Sequence, residues 1–98
     1  MRVAKVVGNV VSTIKDKGFQ NQKLLIVEYI DRAGNPDGAR LIAFDNADAG
    51  VGDTVLVCTD GGAAGILLGS HCIADLVICG VVDSVTYHDG ARETYNFH

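Results

Sequence analysis

The chain has 98 residues, 48% of them hydrophobic but only 6% aromatic, and a net charge of −4. That length sets one domain with a thin core, so the large apolar share predicts apolar surface covered by partner chains, with self-association the first expectation. The acidic balance disfavours nucleic acid, the longest apolar runs fall short of a bilayer span, and the N-terminus lacks a charged start with an apolar signal core. A cytoplasmic protein with no nucleic-acid and no membrane partner is expected.

Residues 3–13 are valine-rich and read as a first strand, with Gly8 as a bulge or bend. Lys15, Lys17 and Lys23 are interrupted by Asp16 and read as a solvated turn. Residues 23–31 form a second apolar run. The stretch Arg32-Ala33-Gly34-Asn35-Pro36-Asp37-Gly38 is a dense turn signal, so residues 40–45 are expected to pair back as a hairpin. Gly50 and Gly52 permit a sharp reversal before Asp53. Residues 53–59 alternate, with Val55 and Val57 on one face and Thr54, Leu56 and Cys58 on the other.

Residues 66–70 are compatible with a turn, a helical turn or a strand. Residues 75–87 read as a fifth strand with Gly80 in its middle. Both faces of Leu76-Val77-Ile78-Cys79-Gly80-Val81-Val82 are apolar, where a half-exposed strand would alternate. One face is expected inside the domain and the other against a neighbour, which makes Leu76, Ile78 and Val81 candidate interface residues. Residues 88–98 form a polar tail, expected to be frayed or to lie across another subunit. Five short strands with internal glycines predict an all-β domain, a small closed barrel with at most one short helical turn.

Between the fourth and fifth strands, Asp60, Gly61, Gly62, Ala63, Ala64 and Gly65 have almost no side chains. Such a segment fills no core and is ordered at an entropic cost, so its backbone is expected close to a ligand, another loop or a symmetry-related copy of itself. Its N–H groups could form a shallow anion concavity. No Gly-Lys-Ser/Thr follows, however, and the missing cation favours a structural or interface loop.

Catalytic and metal chemistry find little support. Cys58, Cys72 and Cys79 are an odd number without a CxxC pair, so neither a disulfide framework nor zinc is expected. Cys58 and Cys79 read as small buried strand residues. Cys72 beside His71 is the one tempting nucleophile–base pair, but neighbours in a strand point to opposite faces. Asp45, Asp48, Asp53, Asp75 and Asp83 fall at strand ends, where Asp caps turns. His88 and His98 lie in the polar tail. No cofactor and no catalytic residue are expected.

Four segments together resemble the EutN/CcmL family, the pentameric vertex proteins of bacterial microcompartment shells. They are Met1-Arg2-Val3-Ala4-Lys5-Val6-Val7-Gly8-Asn9-Val10-Val11-Ser12-Thr13, Lys23-Leu24-Leu25-Ile26-Val27, Asp45-Asn46-Ala47-Asp48-Ala49-Gly50-Val51-Gly52-Asp53 and Ile78-Cys79-Gly80-Val81-Val82-Asp83, in order and at the expected spacing. The resemblance implies an OB-like five-stranded barrel that assembles as a homopentamer among hexameric shell proteins. It also implies that Asp60 to Gly65 line the five-fold axis, where converging copies leave no room for side chains. The family's loop often ends in Arg where this chain has Gly65, so no pore property that needs that arginine carries over. An OB-like barrel also raises single-stranded nucleic acid or oligosaccharide as ligands. Phe19, Tyr29, Phe44, Tyr87, Tyr95 and Phe97 are not interleaved with basic residues as such grooves require.

Overall fold

A computed structural model describes residues 1–11, 23–59, 66–68, 71–74 and 76–97, with backbone alone for 66–68 and 71–74. Valine and isoleucine dominate the first strands because branched side chains suit a pleated surface. Strand β1 (Arg2–Val10) is followed by β2 (Leu24–Ile30), β3 (Pro36–Asp45) and β4 (Thr54–Thr59). After β5 (Ile66–Leu68) and β6 (His71–Ala74) come β7 (Leu76–Val81), β8 (Ser84–Tyr87) and β9 (Glu93–Asn96). Five of these close a barrel in the order β1-β2-β3-β7-β4, with β4 returning to β1. The β3–β7 pair is parallel and the other barrel pairs are antiparallel. Closure leaves the barrel without a free edge.

The expected bulge in β1 is present. The β1–β2 register shifts between Val6 and Gly8, and a Cβ on Gly8 would meet Ile26 Cδ1 at 3.3 Å. Expected and observed elements differ in three places. The β2–β3 hairpin is longer than expected, because a second register shift lets Ile30 pair with Pro36. The turn itself is confined to residues 32–35, where Asp31 Oδ1 accepts the N–H groups of Ala33 and Asn35 at 3.0 and 2.9 Å. Residues 66–68, left open by their sequence, form a strand paired with β6. The expected fifth strand is broken: β7 ends at Val81, and the polar tail supplies a strand of its own, β9, antiparallel to β8.

The core is a filled barrel interior. Ala4, Val6, Leu25, Val27, Ala43, Val55, Val57 and Ile78 are buried there together with Ala49 from the turn before β4. Val55 and Val57 share the inner face as their alternation predicts, while Leu56 and Cys58 are half-buried. Thr54 is also buried, at the mouth of the barrel's last strand.

Candidate functional site

No group of three or more His, Cys, Asp or Glu among the described residues could hold a metal ion, and the candidate functional surface is the one available for assembly. It begins at the acidic turn that resembles the family's. Asp45 ends β3 with its side chain fully buried, and its oxygens accept the N–H groups of Ala47 and Ala49, both at 2.9 Å. Lys23 Nζ lies 3.2 Å from Asp45 Oδ2 and donates to the Ala49 carbonyl, so one cation ties the start of β2 to the turn. Asp53 closes the far end, accepting Gly50 N–H at 2.9 Å. Gly52, at φ +98°, donates to Val6 O at 2.9 Å and so anchors the turn on β1. The strand-end role read for Asp45 and Asp53 is the one they hold. Asp45→Ala should cost about 2–4 kcal/mol, because it strands two amides and a lysine that the carboxylate now satisfies. Urea unfolding of parent and variant measures it.

The turn carries the chain into β4, which runs out at Thr59. Asp60, Gly61, Gly62, Ala63, Ala64 and Gly65 lie outside the described residues, as do Asp75 and the side chains of His71 and Cys72. The chain reappears as the β5–β6 ladder, in which Leu67 pairs with Cys72, and rejoins the barrel at β7.

Strand β7 separates the three candidate interface residues. Ile78 is 0% exposed and belongs to the barrel core, so its side chain faces inward and not toward a neighbour. Leu76 has the same parity and packs half-buried against that core, whereas Val81 is 45% exposed. Val81 lies at the end of β7, three residues beyond Ile78 and past a bulge in which Val57 pairs with Ile78 but Leu56 pairs with Gly80, leaving Cys79 as the additional residue. The expected burial of the two strand cysteines also fails, for the same parity. Valines 55 and 57 and Ile78 occupy the inner face, so Cys58 is only half-buried and Cys79 is exposed.

The β8–β9 hairpin was the least legible part of this surface. Its face toward the barrel holds Val85, Tyr87, Tyr95 and Phe97, all half-buried, alternating with exposed Ser84, Thr86 and Asn96. Phe97 donates its N–H to Asp83 O at 2.9 Å, and its ring sits where a Cβ on Gly34 would come within 3.3 Å. Arg32 fastens the hairpin to the β2–β3 turn. It donates twice to Asp89, at 2.8 and 2.6 Å, and lies 3.8 Å over the centre of the Tyr87 ring. Two grooves of about 350 and 320 Å³ flank the hairpin, the larger lined by Lys5, Ile30, Gly34, Thr54, Tyr95 and Phe97. The sequence signal was the alternation of aromatic and polar residues in the tail.

The Arg32 hydrogen bonds hold the Asp89 carboxyl below its ordinary value. A group whose folded pKa is depressed contributes its stabilisation above the unfolded pKa and loses it as pH falls through the folded one. Hydrogen exchange of the hairpin amides, normalised for intrinsic rates, should therefore accelerate at acid pH relative to the barrel. In Asp89→Asn the hairpin should exchange faster already at neutral pH, and the acid-dependent step should be reduced. Salt should weaken the docking, since both partners are solvent-exposed.

Comparison with known proteins bears on this architecture directly. A family model described as "Ethanolamine utilisation protein EutN/carboxysome" matches residues 1–83. The chain is 40% identical over 85 residues to the bacterial microcompartment shell vertex protein EutN of Escherichia coli K12, covering 87% of this chain and 90% of that protein. It is 34% identical over 96 residues to the carboxysome shell vertex protein CcmL of Synechococcus elongatus, covering 98% and 95%. Among solved structures, the GrpN pentameric microcompartment shell protein from Rhodospirillum rubrum superposes with a TM-score of 0.74 at 32% identity, over 91% of this chain and all of that one.

Proposed function

The chain belongs to the EutN/CcmL family, and we propose on that premise that it is a structural shell protein whose cyclic pentamer caps the vertices of a bacterial microcompartment in the cytoplasm. The observation that carries this reading is the match of the whole barrel, in sequence and in fold, to shell vertex proteins and to a pentameric shell protein. A polyhedral shell of flat six-fold tiles closes only where five-fold units are inserted. The role is therefore geometric, and the chain acts without catalysis. Its partners are four further copies of itself and the hexameric tiles around the vertex.

The loop from Asp60 to Gly65 is assigned to the five-fold axis, where its small residues let the copies converge. Leu76 and Val81 remain candidates for the subunit contact, while Ile78 supports that contact only from inside the barrel. Each subunit interface should bury roughly 1,000 Å² or more in total. Native mass spectrometry at micromolar concentration should give five times the chain mass. A clean monomer there would overturn the proposal.

A further inference from the structure

Cys58 on β4 and Cys79 on β7 share the outer face of the barrel, on strands that are hydrogen-bonded neighbours. In a regular ladder two such residues stand diagonally, because Cys58 is opposite Val77. The bulge changes that. Cys79 is the residue without a Cα partner, its neighbour Gly80 adds no side chain, and its Sγ reaches back over β4 to within 3.5 Å of Leu56 O. The Cys79 thiol is pushed up from its ordinary value, foremost by its hydrogen bond with the Cys58 side chain and then by burial. Both thiols thus stand on the outer face of hydrogen-bonded strands, with Cys79 exposed and Cys58 half-buried. Cys58 also stands two positions before Asp60, where β4 leads into the small-residue loop.

We propose that Cys58 and Cys79 are a redox-responsive dithiol that closes to an intramolecular disulfide with a low-molecular-weight disulfide as oxidant, clamping the end of β4 to β7. One cysteine, as thiolate, attacks a sulfur of the small disulfide. A mixed disulfide forms and one small thiolate leaves, taking up a proton. The second cysteine, as thiolate, then attacks the protein sulfur of that mixed disulfide, forms the Cys58–Cys79 bond and expels the second small thiol. Two protein thiols lose two electrons and two protons, and the small disulfide gains both. The reduced pair is the expected state in a reducing cytoplasm, and closure follows exposure to an oxidising milieu.

The intact, assembled protein is incubated with graded ratios of oxidised to reduced glutathione, and remaining thiols are then alkylated. Cleavage before aspartate separates the three cysteines into residues 53–59, 60–74 and 75–82. The expected result is a loss of two hydrogens per chain and a cross-link joining 53–59 to 75–82, with the Cys72 peptide alkylated. Closure should raise the melting midpoint by roughly 5–15 °C, and Cys79→Ser should abolish both the link and the rise. Persistent glutathione adducts without closure, a link through Cys72, chain-to-chain disulfides, or no oxidation at the most oxidising ratio would each overturn the proposal.

Discussion

Ile78→Ala is expected to destabilise the barrel by about 2–5 kcal/mol, the cost of truncating a fully buried branched side chain whose surroundings collapse only in part. Ile78 lies among Val6, Leu25, Val27, Val55 and Val57, contributed by β1, β2 and β4, so a void there is felt across the whole closed sheet. The matching change at Val81, Val81→Ala, should leave barrel stability nearly unchanged, because that side chain is 45% exposed. Urea unfolding read by circular dichroism, with native mass followed in the same titration, separates the two. Equal losses at both positions would mean that the outer face is as packed as the inner one.

Gly62→Leu and Ala63→Phe are expected to abolish or severely reduce ring assembly while leaving the barrel folded. Overpacking one site costs about 1–3 kcal/mol. At a symmetry axis the same bulk is introduced by every copy into one space. Native mass should shift toward smaller species, with the far-ultraviolet dichroism of the barrel retained. Rings of unchanged mass in both variants would remove this loop from the axis. Failure of that kind would leave the shell role standing, since the family match does not depend on where the loop lies.

Much of the barrel was legible because period-two alternation and turn residues are local signals. Val55 and Val57 against Leu56 and Cys58, and the bulge at Gly8, follow from a few consecutive residues. The β7 bulge was not legible. It depends on how Leu56 and Val57 register against Ile78 and Gly80 across the sheet, and nothing in the apolar run from Leu76 to Val82 marks which residue is unpaired. Ile78 faces inward because it pairs with the inner Val57, and plain alternation from Val57 and Ile78 turns Cys58 and Cys79 outward. The tail misled for a related reason. Its polar residues suggested fraying or a place across another subunit, yet Tyr95 and Phe97 share a face with Tyr87, and Arg32, from a turn distant in sequence, holds Tyr87 and Asp89. The loop itself was legible only as a lack of side chains, and the ring number came from family resemblance.

The parallel pairing of β7 with β3 has a kinetic consequence. β1, β2 and β3 are successive antiparallel neighbours, so this meander can form early from short-range contacts. β7 enters between β3 and β4 only after the intervening chain has looped out and back, and a parallel ladder cannot be reached by a tight turn. Until then Ile78 is missing from the interior and the meander exposes Val6, Leu25 and Val27 to water. Insertion of β7 is thus the expected slow, committing step. During synthesis a nascent subunit must emerge at least through residue 81 before it has a barrel to offer its neighbours, which sets an order of events: folding first, ring closure second.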